Sequence, residues 1–152
     1  MIEVVPADRA HCFEVGYSLR QGDMQECLDM GFEDGVQAAL FAFDNYPESY
    51  TAMKGKLPIA MWGCRPAAGI ISDMAYLWCM TTHFVNTHKR DILRLSSEFV
   101  GQMQTRYRVL ESSVSPEYEA SVRWLRWLGF QIAGTEMYKG HVYYRVVKER
   151  VI

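Results

Sequence analysis

The side chains able to do acid–base or nucleophilic chemistry are scattered along the chain. Histidines stand at His11, His83, His88 and His141, and cysteines at Cys12, Cys27, Cys64 and Cys79. They are dispersed rather than gathered into a ligand set, so no metal site is expected. A catalytic thiol needs a neighbouring base, and without one a free cysteine serves best as a small core residue. Nucleophile-elbow, P-loop and His-Glu-x-x-His patterns are absent. Three residues qualify as a general base. His83 closes an apolar run, and an unperturbed imidazole titrates near neutrality. Asp73 lies in a stretch that reads as a turn, where an Asx turn explains it equally well. Glu33 precedes a helix and also suits a first-turn carboxylate.

The elements that must position these groups follow from the hydropathy pattern. Ile2–Val5 is a β-branched run closed by Pro6 and reads as a strand. Ala7-Asp8 offers an N-cap to a helix over Asp8–Leu19, which Gly22-Asp23 breaks. Met24, Cys27, Leu28 and Met30 suit a second helix ending at Gly31. Asp34–Asp44 is rich in helix formers and stops before Pro47. Tyr50–Met53 and Leu57–Cys64 flank Lys54-Gly55-Lys56 as a hairpin. After a loop over Arg65–Gly69, Ile70-Ile71 and Met74–Thr82 read as a strand pair.

In Thr87–Tyr107, the residues Ile92, Leu95, Phe99 and Met103 share one helical face, with Asn86 or Thr87 as N-cap. Tyr107–Ser112 is strand-like. Tyr118–Leu128 is helical, and Gly129 is placed to cap it. Phe130–Tyr138 and His141–Lys148 flank Lys139-Gly140 as a second hairpin. The order β-α-α-α-β-β-β-α-β-α-β-β predicts a single α/β (α+β) domain over 1–152, a mixed central sheet with helices on both faces.

The chain has 152 residues, 49% apolar and 22% charged, with a net charge of −2. That composition excludes a disordered chain and gives no electrostatic basis for nucleic-acid binding. No apolar run approaches the ~18 residues of a membrane span. Scattered cysteines and the lack of a signal-peptide pattern point to a reducing cytoplasm. Lys89, Arg90, Arg94, Arg106 and Arg108 read as a solvated helix face. Trp124 and Trp127, with Tyr118, suit a protein interface if exposed and packing beneath the sheet if not. A homo-oligomer is compatible with either.

The element order, with Ser115–Phe130 ending in Gly129-Phe130 before a hairpin, resembles the GNAT acyltransferase fold. In that family a glycine-rich turn after the fourth strand holds the acetyl-CoA pyrophosphate, because glycines admit close approach to helix-start N–H groups. The corresponding stretch here, Thr82–Leu95, contains no glycine. Asp91 in it would compete with phosphate, while Lys89 and Arg90 would supply positive charge. The resemblance implies that backbone atoms of Thr81–Val85 pair with the pantetheine arm. Thr82, Phe84, Val85, Lys89 and Arg90 are therefore the cofactor-binding candidates, with His83 and Asp73 the catalytic ones. The tyrosine acid of many GNAT enzymes falls at Leu125, which has no ionisable proton, and the family's asparagine falls at Tyr118.

A narrower resemblance rests on Ile2–Pro6, Leu57–Gly63, the Trp78–Val85 strand, the basic helix after it and the Trp124–Gly129 helix end. These are similar to a small family of internal virion or morphogenesis proteins of short-tailed phages. That likeness implies a catalytically degenerate accessory protein in the host cytoplasm, packaged in the virion or not, with a phage or host protein as partner. No cofactor is certain on this view. The alternative is an active N-acetyltransferase using acetyl-CoA through an atypical loop.

Overall fold

Asp8 shows how local chemistry starts the fold. Its carboxylate accepts from the Ala10 N–H at 2.9 Å, and its own N–H donates to His11 Nδ1 at 3.1 Å. This capping box opens α1 (Arg9–Tyr17), and such a cap contributes about 1 kcal/mol. The computed structural model describes residues 1–68 and 72–151. Before α1 lies β1 (Ile2–Pro6). After it come α2 (Gln21–Asp29), α3 (Gly35–Asn45), β2 (Glu48–Lys54), β3 (Leu57–Pro66) and β4 (Met74–Thr81). A 3-10 helix over His83–Thr87 leads into α4 (Lys89–Arg106), then β5 (Val109–Val114), α5 (Glu119–Trp127), β6 (Gln131–Tyr138) and β7 (His141–Glu149).

The chain is α/β, as the element order implies. Its seven strands run β1-β2-β3-β4-β5-β7-β6 in a mixed sheet. β1, β2 and β3 are antiparallel neighbours, β4 and β5 pair in parallel, and β7 lies antiparallel to both β5 and β6.

The contacts divide the chain into two compact units. The first comprises Met1–Arg65 and Trp78–Ile92. Its core gathers Cys12, Val15, Ala39 and Met61, all fully buried, with Leu19, Leu40, Phe43, Trp78 and Met80 packed against them. α1 crosses α3 at glycines. A Cβ on Gly16 would lie 2.6 Å from Val36 Cα, so this backbone approach admits no side chain.

The second unit comprises Pro66–Leu77 and Leu93–Ile152. It buries Val100 and Met103 of α4, Leu110 and Val114 of β5, Phe130, and Tyr143 and Val146 of β7. The end of α5 is a Schellman motif. Gly129 has φ +101° and donates to Arg126 O at 3.0 Å, and Phe130 N–H reaches Leu125 O at 3.0 Å.

Four expectations are corrected. Gly22 and Asp23 lie inside the first turns of α2, and the break falls at Ser18–Arg20. The run of β4 stops at Thr81, so Phe84 and Val85 sit in the 3-10 helix rather than on a strand. Thr87 ends that helix instead of capping α4, which starts at Lys89. β5 covers Val109–Val114 instead of beginning at Tyr107. The strand reading of Ile70-Ile71 falls outside the described residues.

Candidate functional site

The site implied by the sequence centres on the end of β4, and alternation along that strand decides what it offers. In a strand, successive backbone groups face opposite edges. Thr82 N–H donates to Ile59 O of β3 at 3.0 Å, and Met74 O accepts from Ala67 N, which follows β3. The even-numbered residues thus serve β3. The odd-numbered ones serve the other edge. There Asp73 O accepts from Val109 N at 3.1 Å, and Leu77 O accepts from the Ser112 hydroxyl at 3.1 Å.

At the end of the same edge the partner changes. Arg20 N–H donates to Thr81 O at 3.0 Å, and His83 N–H donates to Ser18 O at 3.1 Å. These two bonds form an antiparallel bridge between Leu19 and Thr82. The α1–α2 connection therefore uses the backbone groups on which a pantetheine arm was expected to pair.

Thr82 is fully buried, and its hydroxyl donates to Ile59 O at 2.7 Å, so its hydroxyl and its N–H are both committed to β3. Val85 is buried and faces the interior. Around the 3-10 helix, Val85 N donates to Thr82 O and His88 N to Val85 O. Phe84 is half-buried, with its ring 4.1 Å from the His83 ring. His83 is exposed. Lys89 and Arg90 are exposed at the first turn of α4, which also carries Asp91.

Asp73 precedes β4 and His83 follows it. The Asp73 carboxylate accepts from Arg108 Nε at 3.0 Å, an ion pair that ties the start of β4 to the start of β5. Glu33 is exposed, and its N–H donates to the Gln37 side chain at 2.7 Å.

Sequence reasoning missed Asp23. This carboxylate is buried in the first turn of α2 and accepts from the Thr81 hydroxyl at 2.6 Å. The available signal was an acidic residue three positions after Arg20, a first-turn carboxylate, but Gly22-Asp23 was read as a helix break instead. Three of the four thiols are poor nucleophiles. Burial pushes Cys12 up to about 11 and Cys27 up to about 12, and it raises Cys79 further, with Asp23 adding to the effect. A thiol above the physiological range stays protonated.

α5 provides no acid at Leu125, whose place is the third residue from the helix end, paired through the Schellman bond with Phe130. Tyr118 is the N-cap of α5, with its backbone N–H bonded to Ser115 O. Trp124 is half-buried and donates through Nε1 to Ser96 Oγ at 3.1 Å, whereas Trp127 is 58% exposed. The two tryptophans therefore divide between the packed and the open readings. Among the described residues no group of three His, Cys, Asp or Glu is placed to hold a metal, and no helix is long and apolar enough to cross a membrane.

Comparison with known proteins gives a consistent answer about fold. An aminoglycoside acetyltransferase, AAC(6')-Ib, solved with ribostamycin and coenzyme A, matches with a TM-score of 0.71 at 13% identity, over 98% of this chain and 93% of that one. A GNAT-family acetyltransferase from Bacillus anthracis matches with a TM-score of 0.71 at 9% identity, over 97% and 94%. A Salmonella typhimurium protein solved with acetyl-CoA matches with a TM-score of 0.61 at 9% identity, over 98% and 94%. At these identities the likeness is one of fold, and the chain has the GNAT acetyltransferase fold. No family model and no curated protein matches the sequence.

Proposed function

We propose that this chain is a GNAT-fold accessory protein without acetyl-transfer activity, encoded by a phage and acting in virion morphogenesis or on a host protein. The observation that carries the loss of catalysis is the segment after β4. It has no glycine between Thr82 and Val100, and it opens as a 3-10 helix in which the N–H groups of His83, Val85 and His88 already donate to protein carbonyls. A pyrophosphate needs unshielded N–H groups approached at close range. Asp91 places a carboxylate in the turn where phosphate would sit, and Leu125 removes the usual proton donor. Fold alone does not restore an activity whose groups are gone. The phage assignment, with its location in the host cytoplasm or the virion, rests on the sequence resemblance. A protein partner is supported by the exposed Trp127, since exposed aromatics contribute strongly to interfaces.

The test is turnover. Thiol release from acetyl-CoA should stay at the buffer rate with polyamines, aminoglycosides and peptide N-termini as acceptors. Enzyme-dependent release with any of them would overturn the proposal.

A second reading is an acetyl-CoA-dependent N-acetyltransferase with an atypical loop. It is favoured by the exposed Lys89 and Arg90 at the start of α4, which suit a phosphate, and by structural neighbours solved with coenzyme A or acetyl-CoA. On that reading His83 would be the base, Asp73 would serve through its hold on Arg108, and the backbone of Thr82, Phe84 and Val85 would have to rearrange to meet the cofactor. Activity lost in Lys89→Ala and Arg90→Ala with the fold unchanged would support it.

A further inference from the structure

The β4 edge carries an inference of its own, which rests on the reading above that no acyl-CoA is held in the native state. We propose that Ser18–Arg20 is an internal strap that closes the end of β4 against any extended, amide-bearing chain. Two backbone bonds define it, from Arg20 N–H to Thr81 O and from His83 N–H to Ser18 O. Both lie on the edge opposite β3, as shown by the Thr82 N–H bond to Ile59 O. An extended chain laid there would need the same carbonyl and the same N–H. Strap and ligand are mutually exclusive because each backbone donor and acceptor serves one such partner in a ladder.

The strap is short and anchored at both ends. α1 ends at Tyr17 and α2 starts at Gln21, so three residues span the gap. Leu19 is held in the core beside Cys12 and Val15. On the far side, the buried Asp23 of α2 accepts from the Thr81 hydroxyl at 2.6 Å, which ties the start of α2 to the strand the strap covers. The strap is thus a few backbone bonds between firm elements, the kind of segment that opens locally without global unfolding.

Arg20 offers a clean perturbation. Its φ is −60° and ψ 153°, which proline adopts without strain, and Leu19 before it is already paired as a strand. Arg20→Pro deletes the N–H that bonds Thr81 O, whereas Arg20→Ala removes the side chain and keeps that bond. Leu19→Ala is the second route, loosening the anchor with every backbone donor kept.

The probe is S-acetyl-pantetheine, which lacks the pyrophosphate and so reads the edge apart from the start of α4. Amide exchange in the wild type should show Arg20 and His83 opening together and faster than Thr82. Arg20→Pro or Leu19→Ala should speed His83 exchange by roughly ten-fold, the effect of one lost hydrogen bond. Millimolar acetyl-pantetheine should then shift the Thr81 and His83 resonances in the opened variants, and leave the wild type and Arg20→Ala unchanged. Opened variants that stay silent overturn the strap and leave the proposed function standing. A wild type that binds acetyl-pantetheine with its strap amides still protected overturns the strap. Binding of acetyl-CoA by the wild type overturns the premise that no acyl-CoA is held in the native state, and turnover of it overturns the proposed function.

Discussion

Gly16→Ala tests the packing that sets the end of α1, and its cost follows from the structure. The added methyl would stand 2.6 Å from both Val36 Cα and Val36 N and 2.8 Å from Gly35 C. Carbon pairs rest at about 3.5–4.0 Å, so the two helices must part by roughly 1 Å. All three neighbours are backbone atoms, and no rotamer change relieves them. Overpacking of this kind costs about 1–3 kcal/mol, and the upper end applies where backbone must move. Replacing a helical glycine returns about 0.5–1 kcal/mol. The net expectation is a loss of roughly 2 kcal/mol, a fall in Tm of about 4–8 °C for a chain of this size. Gly101 in α4 is the control, because a Cβ there meets nothing within 4 Å. Gly101→Ala should stabilise by about 0.5–1 kcal/mol. Urea unfolding with a shared m-value measures both. Equal or higher stability in Gly16→Ala would refute the claim of backbone contact between α1 and α3.

Other outcomes follow from single contacts. Thr81→Val removes the hydroxyl that donates to buried Asp23 and should cost about 1–3 kcal/mol in thermal unfolding, whereas a neutral effect would mean that Asp23 has no need of that donor. Gly129→Ala forces a methyl onto φ +101° and should lower stability by about 1–2 kcal/mol in urea unfolding, whereas an unchanged midpoint would mean that the cap needs no glycine. Cys12 and Cys27 have folded-state pKa values raised above 9 by burial, so the protection they lend is complete below pH 9 and is lost as pH rises toward about 11 for Cys12. Urea midpoints should therefore decline above pH 9, and the buried Cys12 and Cys27 should resist a disulfide reagent at pH 8 until the protein unfolds. Iodide should quench Trp127 far more than Trp124, and Trp127→Phe should remove most of the quenchable fluorescence.

Local chemistry explains which parts were legible in the sequence. Gly129-Phe130 ends α5 because a left-handed cap needs glycine, and Lys139-Gly140 turns the last hairpin with both residues at positive φ. The helix read over Asp34–Asp44 forms as α3, although Asp34 stands before it as the cap, bonding Gln37 N at 2.8 Å. The misread parts depend on distant partners. The end of β4 is hidden because β-branched and aromatic residues continue past Thr81 at Thr82, Phe84 and Val85, and strand and 3-10 helix have similar patterns over so few residues. Gly22 reads as a break because glycine opposes helix, but the actual break is held where Arg20 N–H donates to Thr81 O and Ser18 O accepts from His83 N–H, partners more than 60 positions away along the chain. Asp23 was hidden for the same reason, as its partner Thr81 lies on β4.

The central claim is that a GNAT fold here no longer holds acetyl-CoA in its native state, and thermal unfolding with the cofactor tests it most directly. A native site with a dissociation constant of about 10 μM would gain roughly 2.7 kcal/mol at 1 mM acetyl-CoA, several degrees in Tm. The account predicts no shift beyond that given by adenosine diphosphate at the same ionic strength. A saturable rise in Tm with acetyl-CoA, matched by heat in a calorimetric titration, would contradict it.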